Sequence, residues 1–265
     1  MPIRQPELLP HAHYRRPIGR ATGGQMADTH QAIILNAAKQ ECRAFVKHFP
    51  ISQPRSLFNE WFGYCLMAAL GVPQPAAAIM PAPRLGAPGI LEWAFVSFMP
   101  TPVCEGTPKE IYNLNDATHF KAIADRLMQC HAFAGMVAAD QLCMNNDRNI
   151  GNLVFTGPKT FVVIDHNQIL GGNSWQRNDL LRPTQWVHSV PIDLCSKCST
   201  ISKGTANALV ASAEIKSEAL WACYAELHEA LTLSDRENAS LALNAVWWRS
   251  LELADWFKQK LHLML

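Results

Sequence analysis

The chain has 265 residues, of which 49% are hydrophobic and 17% are charged. This composition excludes a disordered chain and is sufficient for one large domain or a small protein of two lobes. The formal net charge of +1 gives no electrostatic reason to expect nucleic acid or an anionic membrane as a partner. Because the N-terminus carries no apolar signal segment and no apolar stretch is as long as a membrane span, we expect a soluble, cytoplasmic protein.

The first part of the chain is predicted to be rich in β-structure. Residues 1–20 are rich in Pro, His and Arg and predict an extended N-terminal arm. Two β-rich runs, 32–35 and 42–47, are separated by a short polar connection, which is typical of a hairpin. Residues 57–70 carry apolar side chains at helical spacing before Gly71, a stop signal, and therefore predict a helix.

The middle of the chain predicts one strand and one long helix. Residues 72–88 are proline-rich, and residues 90–99 then predict a buried strand that ends before Pro100. From 116 to about 144 the apolar spacing is helical. Asp116 is a suitable N-cap for that helix, because its side chain can accept a hydrogen bond from a backbone N–H of the first turn.

The remaining elements are a second hairpin and two helices. Polar residues 145–152 interrupt the preceding helical pattern, and residues 153–164 predict a hairpin with a Gly-Pro turn. Residues 173–205 predict a loop. The C-terminal part then predicts two helices, at 206–231 and 235–263.

This order of elements predicts an α+β fold of two lobes. After the arm at 1–20, residues 21–102 form a small β-rich N-lobe, and residues 103–265 form a mostly helical C-lobe that contains the second hairpin. The Pro100–Pro102 segment is the predicted linker between the lobes.

Three oxygen-bearing side chains around the second hairpin carry the functional prediction. Asp147 and Asn152 lie on one irregular loop, where their side chains can converge. Asp165 follows a run of apolar residues at a strand end, and a carboxylate in that position needs a partner or a cation. Phosphoryl transfer uses such parts, because a carboxylate orients the acceptor hydroxyl and hard oxygen ligands bind Mg²⁺.

The residues around this loop also carry a family resemblance. The run 139–154, followed by Val-Val-Ile-Asp-His at 162–166, resembles the catalytic segment of HipA-like kinases. Its Asp-x-x-x-x-Asn order is similar to the catalytic loop of protein kinases, and a related pattern occurs in phosphatidylinositol 3- and 4-kinases. The resemblance implies a two-lobed protein-kinase-like fold and a serine/threonine protein kinase, a transferase that uses ATP and Mg²⁺.

The resemblance also implies a role for each residue of the loop. Asp147 is the catalytic base, and Asn152 and Asp165 bind the magnesium ion. Asp165 takes the place of the metal-binding aspartate in the kinase D-F-G motif. Arg148 and Asn149 would shape the loop between the other residues.

A kinase also needs a lysine on the ATP phosphates and a glutamate that orients this lysine. Lys47 ends the strand-like run 42–47, and Glu60 lies near the start of the following helix. The resemblance to kinases therefore assigns this pair the role of positioning ATP.

Two further segments are predicted to bind the nucleotide. The turn Thr22-Gly23-Gly24 resembles part of the HipA phosphate loop and would offer backbone N–H groups to the phosphates. Phe98 and Met99 end the strand at 90–99 and would contact ATP at the hinge that binds adenine.

The resemblance implies a protein substrate and an antitoxin-type partner, whereas the sequence indicates no nucleic-acid or membrane partner of its own. Two alternatives stay open. One is a phosphoinositide or small-molecule kinase, against which the lack of a basic membrane-facing cluster counts. The other is a nucleotide-binding pseudokinase that acts as an interaction module.

Overall fold

The protein has an α+β fold in which a mixed sheet precedes a mostly helical part. The computed structural model describes residues 3–21, 27–99, 105–181, 187, 189–197, 201–232 and 235–262. The sheet has six strands in the order β1-β5-β6-β4-β3-β2, with β1 parallel to β5 and the other neighbours antiparallel. Its strands are β1 (Glu7–Leu8), β2 (Tyr14–Arg20), β3 (Asp28–Leu35), β4 (Glu41–His48), β5 (Ala77–Arg84) and β6 (Ala87–Phe98).

The helical part surrounds one hairpin. Short 3-10 helices at His11–His13 and Ile150–Asn152 precede β2 and β7, respectively. The hairpin consists of β7 (Leu153–Gly157) and β8 (Thr160–Val163). The α-helices of the described residues are α1 (Ser56–Ala69), α2 (Pro108–Ile111), α3 (Ala117–Gln129), α4 (Phe133–Leu142), α5 (Arg177–Leu180), α6 (Val190–Lys197), α7 (Lys203–Thr232) and α8 (Arg236–His262). Within the part of the chain that the structure describes, no helix is long and apolar enough to cross a membrane.

Both predicted hairpins, the first helix and the two C-terminal helices are confirmed. The cap at Asp116 is also confirmed, because its Oδ1 accepts a hydrogen bond from Thr118 N at 2.9 Å. The single long helix predicted for 116–144 was wrong. Cys130 has an extended backbone (φ −76°, ψ 127°), which ends α3 before α4 begins.

Two parts of the N-terminal arm predicted at 1–20, Glu7–Leu8 and Tyr14–Arg20, are strands of the sheet. β2 forms an edge strand against β3, and β1 adds two residues beside β5. Pro17 lies in β2, where an edge strand tolerates a residue that lacks an N–H group. The predicted loop at 173–205 was also wrong in part, because it contains α5 and α6. The predicted linker Pro100–Pro102 lies outside the described residues.

One face of the sheet is covered by an apolar cluster, and the other face carries the candidate site. Alternate residues of β4 point to opposite faces, as in any strand. Ala44 and Val46 belong to an apolar cluster on one face of the sheet, so Lys47 lies on the other face, toward α1. On that face Tyr64 of α1 packs edge-to-face against Phe95, with ring centroids 6.4 Å apart.

Candidate functional site

The centre of the site is a group of three charged side chains, two of them buried. Lys47 Nζ lies 2.6 Å from Glu60 Oε1 and 3.2 Å from Asp165 Oδ1. The three residues come from β4, from α1 and from the segment after β8. Glu60 is completely buried, and Lys47 is 8% exposed. Charges in such surroundings persist only when they are paired, and the one lysine therefore joins two carboxylates that are far apart in sequence.

The pKa shifts of this group follow from burial and mutual attraction. Burial alone would lower the pKa of Lys47, but the carboxylates of Asp165 and Glu60 outweigh it, so that the pKa is raised and the ammonium stays charged. Burial raises the pKa of Glu60 to about 7, against the opposing effect of Lys47. For Asp165 the attraction to Lys47 outweighs burial and lowers the pKa, so this carboxylate is the ionised one near neutrality.

The backbone around Asp165 is held in an unusual conformation. Asp165 has φ +65°, in the left-handed region that few residues other than glycine adopt. The next N–H, that of His166, donates a 3.0 Å hydrogen bond to Glu60 Oε2. A Cβ on Gly63 would lie 2.5 Å from His166 Cβ, so only glycine lets α1 approach this closely. The close contact between α1 and the Asp165–His166 segment therefore depends on the conformation of Asp165 and on the glycine at position 63.

The loop before β7 brings the other predicted residues together. Asn152 Nδ2 donates to the Asp147 carbonyl at 2.8 Å, and Asn149 Nδ2 contacts Asp147 Oδ1 at 3.4 Å. The Asp147 side chain reaches the surface. Partial burial of its carboxyl and the nearby negative charge of Asp165 raise its pKa. These contacts fix the spacing of the carboxylate and the amide on one loop.

A buried ion pair that the sequence prediction missed anchors this loop. Arg148 and Asp140 are 0% and 1% exposed, and Arg148 Nε lies 3.0 Å from Asp140 Oδ2. Arg148 Nη1 also donates to the Ile164 carbonyl at 2.7 Å, directly before Asp165. Burial alone would lower the pKa of Arg148, but the Asp140 carboxylate outweighs that effect and raises it. Arg148 thus stays charged and joins the loop to the hairpin.

A second buried residue that the prediction missed is Asn59, next to Glu60 on α1. Its Nδ2 lies 2.7–3.1 Å from the carbonyls of Asn167, Ile169 and Gly172, and its Oδ1 accepts a 2.9 Å bond from Trp175 Nε1. A polar residue inside an apolar helix was the only sequence signal for it. Asn59 therefore fixes the segment that follows Asp165.

The other residues predicted to bind the nucleotide do not join this group: two are engaged in the sheet, and three lie outside the described residues. Phe98 is buried in the apolar cluster inside the sheet, on the face opposite to Lys47. The Met99 N–H is bonded to the Arg43 carbonyl at 2.9 Å, which continues the sheet pairing. Thr22, Gly23 and Gly24 lie outside the described residues. A small cavity does adjoin the Lys47–Glu60 pair, with Phe95 among its lining residues.

The fit of a magnesium ion can be tested on the donor atoms. Within the described residues, no group of three or more His, Cys, Asp or Glu side chains could hold a metal ion. Magnesium, however, is commonly held by one or two protein oxygens together with phosphates and water. Asp165 Oδ1 faces the Lys47 ammonium at 3.2 Å, and the Asp165 side chain is 29% exposed, so its carboxylate can accept a further ligand. Because the Asn152 amide nitrogen is used by the loop, its Oδ1 is the atom suited to a cation. These two hard oxygens fit magnesium.

Comparison with known proteins does not identify the chain. No protein-family model matches it, and a search of curated proteins finds no match either. The functional proposal therefore depends on the resemblance of the loop and on the contacts described above.

Proposed function

We propose that this chain is an ATP- and magnesium-dependent phosphotransferase of the HipA-like type, which phosphorylates a serine or threonine hydroxyl of a protein. In this proposal the sheet and the helical part are the two lobes of a protein-kinase-like fold. The observation that carries it is the contact of Lys47 with both Glu60 and Asp165. Protein kinases need a lysine, a glutamate that orients it and a metal-binding aspartate close together.

Each residue of the group has a defined task in this mechanism. Glu60 holds the Lys47 ammonium in place, so that Lys47 can bind phosphate oxygens of ATP. Asn152 and Asp165 would hold magnesium, which supplies positive charge to the phosphates when it is bound with ATP. These residues act by placing charges around the phosphates and form no covalent bond with them, as expected for phosphoryl transfer.

Asp147 is the residue that would meet the acceptor. Its carboxylate accepts the hydrogen bond of the acceptor hydroxyl and orients the hydroxyl oxygen toward the terminal phosphorus of ATP. It takes up the proton as the new P–O bond forms, while the bond from this phosphorus to the bridging oxygen breaks and ADP leaves. Its raised pKa supports this role, because a general base works best when its pKa approaches the working pH. The surface position of Asp147 leaves it accessible to a protein substrate.

The proposal is tested by transfer of labelled γ-phosphate from ATP to protein acceptors in a cell lysate, with added Mg²⁺. We expect transfer by the wild type and a loss of about 10²–10⁴-fold in Asp147→Asn. Asn146→Ala is the matched control, since this neighbour is exposed on the same loop and has no role in the proposed site. Lys47→Met should abolish nucleotide binding.

The remaining alternatives give different results in the same assay. Binding of Mg·ATP without transfer to any acceptor would favour the pseudokinase that acts as an interaction module. Transfer to a lipid or small molecule, but not to protein, would favour the alternative kinase classes. If the wild type binds no nucleotide, the proposed function is refuted.

A further inference from the structure

A short helix packs against the loop that carries Asp147 and Asn152. A backbone bridge between Gly106 and Phe155 ties the segment before this helix to β7, with Phe155 N and Gly106 O 2.9 Å apart. α2 then begins at once, and Glu110 closes a capping box with the Thr107 N–H at 2.7 Å. The position of α2 beside Ile150–Asn152 is therefore fixed by backbone contacts at both the bridge and the cap.

α2 brings a lysine to this loop. A Cβ on Gly151 would lie 2.8 Å from Lys109 Nζ and 2.9 Å from Asn149 Oδ1. The backbone of Gly151 is not in the left-handed region, so its lack of a side chain is explained by space and not by conformation. The glycine leaves room for the Lys109 ammonium above the loop that joins Asp147 to Asn152.

The charge of Lys109 is not used by the fold. Among the ion pairs and hydrogen bonds of the described residues, none involves its ammonium, and the side chain is exposed. The other two cations near the site are already engaged. Lys47 joins Glu60 and Asp165, whereas Arg148 is buried against Asp140.

The proposed transfer needs positive charge close to the terminal phosphate. A transferring phosphoryl group carries charge on three oxygens, and enzymes stabilise it with cations placed beforehand. The position after Arg148 is a neutral residue, Asn149, whose side chain is used in local bonds to Gly151 N and to the Asp147 carbonyl. Lys109 is the described cation that reaches this loop without a competing carboxylate.

We propose that the Lys109 ammonium binds the terminal phosphoryl group of ATP and stabilises its charge during transfer. The assignment rests on the proposed function, since it needs ATP bound with its phosphates between Lys47 and Asp147. Lys47 and Lys109 then contact the nucleotide from opposite sides, one from the sheet and one from α2. Because Lys109 would contact the γ-phosphate, it would contribute to the binding of ATP but not to that of ADP.

The test compares the binding of Mg·ADP with that of the Mg complex of β,γ-imido-ATP, a non-hydrolysable analogue, by calorimetric titration. In Lys109→Met we expect the analogue to bind about tenfold or more weakly, and ADP to change by less than about twofold, as for the loss of one charge-assisted contact. Lys109→Arg retains the charge and should keep most of the affinity for the analogue. Lys159→Met, an exposed lysine in the β7–β8 turn, is the charge-matched control and should behave as the wild type.

The outcomes separate this inference from the proposed function. If Lys109→Met binds both nucleotides as the wild type does, or weakens both to the same extent, Lys109 does not contact the γ-phosphate and the proposed function stands. If Lys159→Met shows the same selective loss, the effect is one of net charge and the inference fails. If the wild type binds neither nucleotide, the proposed function itself fails.

Discussion

The Asp140–Arg148 pair gives the sharpest prediction of stability. Replacing Asp140 by Ala leaves the Arg148 guanidinium charged, fully buried and without its carboxylate. Breaking a buried pair in this way costs about 3–5 kcal/mol. Asn145 Nδ2 loses an acceptor at 2.9 Å in the same step, which adds about 1 kcal/mol. The sum is a large part of the free energy of unfolding of a typical folded protein, which is roughly 5–15 kcal/mol.

The assay is equilibrium unfolding in urea, followed by tryptophan fluorescence. We expect the free energy of unfolding of Asp140→Ala to fall by about 4–6 kcal/mol. Asp140→Asn keeps one acceptor oxygen and should lose less, about 2–3 kcal/mol. Asp125→Ala is the control, because its ion pair with Lys121 on α3 is exposed and should contribute less than about 1 kcal/mol. A loss below about 1 kcal/mol in Asp140→Ala would refute the reasoning.

Three further predictions concern other buried or closely packed positions. Asn59→Ala removes the bonds that hold three buried carbonyls, and should lower the free energy of unfolding by about 2–4 kcal/mol in the same urea assay. Gly63→Ala places a Cβ against His166 and should lower the free energy of unfolding by about 1–3 kcal/mol. The proposed phosphate transfer should fall even where the variant remains folded. Burial lowers the pKa of both His30 and His48, so the folded state binds fewer protons than the unfolded state. Urea titrations should therefore show stability falling as the pH drops below about 6.5.

Each of these predictions has a matched control. Ala69→Gly, at the end of α1, checks that the effect of Gly63→Ala is local and is not a general property of the helix. For the pH dependence, His48→Gln removes one of the three buried imidazoles, those of His30, His48 and His166, and should reduce the loss of stability in acid. An unchanged pH profile in that variant would contradict the assignment. For Asn59, Asn113→Ala tests a loop asparagine that is exposed.

The local elements of the fold could be predicted where the sequence pattern and the turn agree. The β7–β8 hairpin has apolar runs on both sides of Gly157-Pro158, and α1 ends two residues before Gly71. β5 could not be predicted, because Pro81 and Pro83 are unusual in a strand. β1 is only two residues long and pairs with Ala78 and Ile79, so both prolines lie where β5 has an open edge. That exception depends on tertiary pairing.

The candidate site was predictable to a different extent. Lys47, Glu60 and Asp165 were identified because the resemblance to kinases implies a strand lysine, a helix glutamate and a metal-binding aspartate, and each residue stands near the end of a predicted element. The structure brings them together. Asp140 and Asn59 were missed because each lies inside an apolar helix. Their partners are five to more than a hundred residues away, and no local pattern reveals such partners.

The buried polar contacts of this site are better explained by positioning than by stability. An ion pair replaced by apolar residues of similar volume often leaves a protein equally stable. Asp140→Leu combined with Arg148→Met should therefore regain most of the stability that Asp140→Ala loses. The double variant still lacks the bond from Arg148 to the Ile164 carbonyl, which holds the backbone next to Asp165. If the pair serves positioning, the double variant folds but does not carry out the proposed phosphate transfer. If the variant regains both stability and transfer, the pair contributes packing alone.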